Sequence, residues 1–295
     1  MKYRTDLAVE TVENLEETGK KPDAEDGVVV RREQIDQDIR VTTIDIVNPK
    51  GEAILGKPCG RYVTMEVDGI AEEKEDIVNR AARALADQLS RLIRHHYFLK
   101  VLVVGLGNEK VTPDSLGPHT VSKVKITGHL FKLFDCDGDE EMSNVCGMAP
   151  GVTATTGMET AELIERAVQM TRPDAVIAID ALAARNIDRV STTIQISDTG
   201  ISPGAGMGNV RKQLNEETLG TKVIAVGVPT VIDSKTVILE AMEEMSIDEK
   251  EAERYFERKK LDMVVTSTDI DIIIKYFSDI IAKAINITLH PGIYS

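Results

Sequence analysis

Two stretches of this chain, Ala175-Val176-Ile177-Ala178-Ile179 and Val223-Ile224-Ala225-Val226, are continuously apolar, with no polar alternation. A strand that reads this way is buried on both faces, as a parallel strand is when helices cover the sheet on either side. The shorter strand Val101–Val104 has the same character. Segments of helical period lie between and around these runs. From Glu72 to Ile93, the residues Ile77, Val78, Ala81, Leu85, Leu89 and Leu92 recur at three- and four-residue intervals and share one helical face. Thr156 and Glu159 have capping-box spacing, which predicts a helix from Thr156 that ends before Arg172-Pro173.

Further helices are expected over Thr236–Met245, Asp248–Lys260 and Thr268–Ile285, the last carrying Ile270, Ile273, Ile274, Phe277, Ile280 and Ile281 at helical spacing. Val41–Val47 and Arg61–Val67 alternate as half-buried strands do, and Thr192–Ile196 is also strand-like. Lys20–Asp26 is polar and reads as a loop. Strands alternating with helices imply a layered α/β fold with a largely parallel central sheet. No repeat, low-complexity tract or linker divides the 295 residues, so one principal domain is the simplest organisation.

Charge and targeting signals exclude several classes. A net charge of −14 opposes a surface built to neutralise nucleic-acid phosphates, so no direct nucleic-acid partner is expected. No secretory signal and no run approaching the ~20 apolar residues of a membrane span is evident, which predicts a cytoplasmic protein without a membrane partner. Cys59, Cys136 and Cys146 lack CxxC spacing and read as reduced thiols.

Ligands of open α/β sheets gather beyond the carboxyl ends of the strands, so acids there are candidates for chemistry. The run ending at Val104 leads through Gly105-Leu106-Gly107-Asn108 to Thr112-Pro113-Asp114, and the run Ala175–Ile179 ends directly in Asp180. Two carboxylates sharing a desolvated site ionise unequally, which lets one act as base while the other acts as acid. Each also fits a bland role, Asp114 capping a short helix after Pro113 and Asp180 capping a strand end. Gly105-x-Gly107 lacks the third small residue of a dinucleotide fingerprint, having Lys110 instead, so no cofactor is expected. The glycine-rich stretch Ser202–Asn209 reads as a surface loop.

His95, His96, His119, His129 and His290 show no zinc spacing, and no metal is expected. His119 alone lies near a proposed acid. Ser115, Ser197, Thr155 and Thr156 are possible nucleophiles, but no nucleophile elbow supports them.

Several long strings carry a resemblance. They are Arg4-Thr5-Asp6-Leu7-Ala8-Val9-Glu10, Val103–Asn108, Thr112-Pro113-Asp114, Ala149–Val152, Thr155–Thr160, Ile179–Arg185, Thr193–Gly200 and Val226–Thr230. In this order they resemble the germination proteases of spore-forming bacteria, endopeptidases that begin the degradation of small acid-soluble spore proteins. The resemblance implies an atypical aspartic-type peptidase with Asp114 and Asp180 as its catalytic pair. It also implies a zymogen, a homotetramer and a place in the forespore and spore core.

The family's processing site has an acidic residue, a hydrophobic one, Ala and a nearby Glu, a pattern that Asp6-Leu7-Ala8-Val9-Glu10 fits. Cleavage is therefore expected between Asp6 and Leu7, with residues 1–6 a short propeptide. Residues 7–295 would then form a single α/β peptidase domain with a peripheral N-terminal strand region. The expected fold is a three-layer α/β/α sandwich of phosphorylase/hydrolase-like type. A weaker likeness links Gly-x-Gly-Asn and the two acids to the metal-dependent hydrogenase-maturation peptidases, but no equivalent of their histidine follows Asp180.

Overall fold

In the computed structural model, residues 5–70, 76–203, 212–245, 254–256, 258–259 and 263–294 are described. The strands are β1 (Val28–Gln34), β2 (Ile39–Ile46), β3 (Gly60–Val67), β4 (Lys100–Gly105), β5 (Asn144–Met148), β6 (Ala175–Ala184), β7 (Thr193–Ser197), β8 (Lys222–Asp233) and β9 (Val264–Val265). They form one nine-stranded sheet in the order β1-β2-β3-β7-β8-β6-β4-β5, with β9 paired to β8.

The apolar runs behave as their composition dictates. Strands β5, β4, β6 and β8 are mutually parallel, and β6 is buried along nearly its whole length. The sheet as a whole is mixed, because β8 meets β7 antiparallel and β3, β2 and β1 continue antiparallel from there. The early strands thus extend one end of the same sheet. Of these, β1 is exposed over its second half as an edge strand, whereas the middle of β3 is buried on both faces.

Helices α1 (Ala8–Glu17), α2 (Pro49–Leu55), α3 (Ile77–Leu92), α4 (Leu116–Lys123), α5 (Gly128–Leu133), α6 (Thr153–Thr156), α7 (Thr160–Thr171), α8 (Glu216–Leu219), α9 (Ser234–Glu244) and α10 (Ile270–Leu289) pack around the sheet, together with the 3-10 turns Thr112–Asp114 and Ile187–Arg189. Alternate residues of β6 feed two separate cores. Ile177 and Ile179 join α3 and α10 on one face, whereas Val176, Ala178, Leu182 and Ala184 join α1 and α7 on the other. This is a three-layer α/β/α fold. Phe277 of α10 is fully buried in the first core, so Phe277→Ala should lower unfolding free energy by about 3–5 kcal/mol in urea titrations.

The helix expected from Thr156 begins instead at Thr160. Thr153–Thr156 form a separate turn closed by Gly157 at φ 71°, and the Glu159 side chain, rather than capping Thr156, accepts from Thr153 Oγ1 at 3.3 Å. A glycine in left-handed conformation ends a helix, and that break overrides the spacing. Most of the expected helix Asp248–Lys260, the first residues of the expected helix from Glu72, and the glycines of the Ser202–Asn209 stretch lie outside the described residues. No described helix is long and apolar enough to cross a membrane.

Candidate active site

Strand β4 ends at Gly105 while its neighbour β6 runs on to Ala184, so the two strands part beyond Ile179. The Leu106 N–H makes the last bridge, donating to the Ile179 carbonyl at 2.8 Å. Asp180 is the next residue. It therefore lies inside β6 rather than at its end, because β6 keeps pairing with β8 through a bulge at Leu182/Ala183. The side chain is buried, and its Oδ1 accepts the Ala181 N–H at 2.9 Å.

Asp114 reaches the same fork from the loop after β4. It closes the 3-10 turn Thr112–Asp114, and the Asn108 N–H donates both to its carbonyl (3.0 Å) and to its Oδ2 (2.9 Å). Gly107 permits this at φ 102°, where a Cβ would run into the Asp114 carbonyl. Thr230 of β8 holds the turn from the other side, its hydroxyl donating to the Pro113 carbonyl at 2.7 Å.

Both acids line one cleft of about 660 Å³, together with Thr5, Asp6, Lys57, Tyr62, Ala183, Gln195 and Ser197. Tyr62 lies deep in it, and burial pushes its phenol up to about 12, keeping it protonated as a donor to the Pro58 carbonyl at 2.9 Å.

The chain's own N-terminal segment enters this cleft. The Asp6 N–H donates to the Ala183 carbonyl at 3.0 Å, and the Ala183 N–H donates to the Asp6 carboxylate at 2.9 Å. The segment thus takes up backbone groups of β6 that β4 has left beyond the fork. Burial pushes the Asp6 carboxyl above its ordinary range, with the Ala183 N–H and the Lys57 charge opposing. Downstream, Glu10 accepts the N–H groups of Arg185 (2.8 Å) and Asn186 (2.8 Å) and also the Thr5 hydroxyl. Leu7 and Ala8 are fully buried.

A model of the germination protease family matches residues 5–255 of the chain. The chain belongs to the germination protease family. It is 42% identical to the germination protease of Clostridium perfringens, covering 98% of this chain and 95% of that protein. The Clostridium acetobutylicum germination protease is 42% identical over 98% of this chain and 96% of its own length. That of Bacillus subtilis is 44% identical over 79% of this chain and 64% of its own length. Membership makes the chain a peptidase, a hydrolase of peptide bonds, with a role in spore germination.

The other candidates from sequence fall away from the fork or are tied locally. His119 is exposed on α4. Ser115 is buried and donates to the Thr112 carbonyl at 2.8 Å, and Thr155 donates to the Val152 carbonyl at 2.8 Å. Ser197 reaches the cleft, where its hydroxyl pairs with that of Thr199 at 2.6 Å. Among the described residues, no group of three or more His, Cys, Asp or Glu side chains is gathered to hold a metal ion. Lys57 and Gln195 are cleft residues that sequence reasoning missed. Gln195 left a signal, since it stands between Ile194 and Ile196 and so turns a polar side chain onto a face that buried strands keep apolar. Lys57, in the loop after α2, left none.

Proposed function

We propose that this chain is a self-processing endopeptidase of small acid-soluble spore proteins in which Asp114 and Asp180 divide the acid and base roles. The observation that carries the reading is the seating of Thr5 and Asp6, from the expected processing site, in the cleft that both aspartates line. One carboxylate takes a proton from the water that attacks the peptide carbonyl, and the other delivers a proton to the departing nitrogen. Residues 1–6 leave as a short propeptide, and residues 7–295 remain as the peptidase domain. Assembly as a homotetramer and residence in the forespore and spore core belong to the same reading and rest on the family likeness.

Incubating the purified chain with a small acid-soluble spore protein should yield a few defined fragments, and N-terminal sequencing of the enzyme afterwards should start at Leu7. Intact substrate would count against the peptidase role proposed here, and a different start would move the processing site. Activity should persist after thorough chelation. Loss on chelation with recovery on adding a divalent metal would favour the hydrogenase-maturation type of chemistry instead.

A further inference from the structure

The carbonyl oxygen of Asp6, on the acyl side of the Asp6–Leu7 bond, accepts two hydrogen bonds from side chains that the acid-pair reading leaves unused. Lys57 Nζ donates at 3.0 Å and Gln195 Nε2 donates at 3.0 Å. We propose that Lys57 and Gln195 are catalytic residues of the peptidase, an electrophilic clamp that holds the scissile carbonyl and stabilises the oxyanion formed when water adds to it. The proposal rests on the reading of Asp6–Leu7 as the bond that is cut.

Gln195 is set for this role by its other end. Its Oε1 accepts the Ala8 N–H at 2.7 Å, which fixes the orientation of the amide and leaves Nε2 facing the Asp6 carbonyl. One side chain therefore spans the bond, gripping the backbone on both sides of it without reading any side chain. The sheet places Gln195 across β8 from Asp180. Asp180 and Gln195 flank the same residue, Gly227 of β8, so their Cα atoms stand roughly 10 Å apart on one face of the sheet. Gly227 presents no side chain between them, and a Cβ there would meet Leu182 at 2.5 Å.

Lys57 comes from the loop between α2 and β3, with its ammonium deep in the protein although the residue as a whole keeps some surface. Burial draws its pKa below the ordinary range, and the charges of Asp6 and Glu10 oppose that. An ammonium in such a place interacts more strongly with a developing negative charge than it would in water. The steps balance simply. Water oxygen bonds to the Asp6 carbonyl carbon and gives a proton to the basic aspartate. The carbonyl electron pair moves onto the oxygen held by Lys57 and Gln195. It then returns as the C–N bond breaks, and the acidic aspartate protonates the Leu7 nitrogen.

The test uses the full chain and follows two rates in Lys57→Met, Gln195→Leu and Gln195→Glu. One is first-order self-processing. The other is kcat and KM, after processing is complete, for an octapeptide spanning Arg4–Thr11. Removal of a single oxyanion donor lowers kcat by about 10²–10³-fold, and that loss in kcat, with KM changed much less, is expected for Lys57→Met and Gln195→Leu. Gln195→Glu keeps the shape and the acceptor for Ala8 but loses the donor, so it should fall as far. Circular dichroism identifies variants that fold, and the isosteric Gln195→Glu keeps the proposal testable should the others misfold.

Folded variants with kcat near the parent value, or with the loss confined to KM, would overturn the clamp and leave Lys57 and Gln195 as ties for the N-terminal segment. Asp114→Asn run alongside separates the two ideas. If Asp114→Asn is inert while the clamp variants are fast, the clamp alone fails; if Asp114→Asn cleaves normally, the acid-pair reading itself fails.

Discussion

Asp180→Asn and Asp114→Asn should each lower cleavage of substrate, and self-processing, by about 10⁴-fold, the upper range for loss of a general acid or base. The fold should survive both changes. Asparagine keeps an oxygen for the Ala181 N–H at position 180 and for the Asn108 N–H at position 114, the hydrogen bonds that orient the two side chains. What it removes is the capacity to take up and release a proton. Because the two groups act on the same bond as a unit, the double variant should be scarcely slower than either single one. The measurement is single-turnover cleavage by variants whose thermal unfolding matches the parent. A folded variant that turns over at the parent rate removes that aspartate from the mechanism, and equal multiplicative losses would show the two acting independently.

The parallel half of the sheet was legible in the sequence because burial on both faces leaves no room for polar alternation, as Ala175–Ile179 and Val223–Val226 show. The antiparallel extension was not. A strand's own residues fix which side chains face the core, but the direction of its neighbour depends on contacts far along the chain, such as Gln195 against Gly227. Asp114 and Asp180 could be nominated from their places after apolar runs. The fork that brings them together could not, because it depends on β4 stopping at Gly105 while β6 continues. Lys57 lies farther still from any pattern, since it reaches the cleft only through the turn after α2.

The mixed sheet also divides the labour of the proposed site. The acids belong to β6 and to the loop leaving β4, in the parallel half, whereas Gln195 and Lys57 come from β7 and the loop before β3, in the antiparallel half. A peptide lying across that boundary would meet the proposed acid–base pair on one side and the proposed donors to its carbonyl on the other. The N-terminal segment occupies such a position, with Asp6 bound to Ala183 of β6 and to Gln195 of β7.

A methyl group at Gly117 or Gly105 should damage this site from outside it. The two glycines face each other where the start of α4 crosses the fork. A Cβ on Gly117 would crowd the backbone of Leu106 and stand 2.6 Å from the Ile179 carbonyl, and one on Gly105 would crowd the Gly117 carbonyl and stand 2.9 Å from Pro118 N. These are backbone atoms of buried elements, so neither side can yield without moving the chain. Separation of α4 from the sheet would carry Asp114 away from Asp180, because Asp114 lies three residues before Gly117.

Misplacement of a catalytic group by about 1 Å lowers the rate roughly 10²-fold, so Gly117→Ala and Gly105→Ala should lose at least about that much in kcat. Overpacking should also cost about 1–3 kcal/mol of stability in urea unfolding. Gly220→Ala is the comparison. Gly220 has φ 68° but open space around its Cβ position, so alanine there meets backbone strain alone, about 1–2 kcal/mol, with no loss of kcat. A folded Gly117→Ala enzyme with unchanged kcat would show that the spacing of the two aspartates is not set by this crossing.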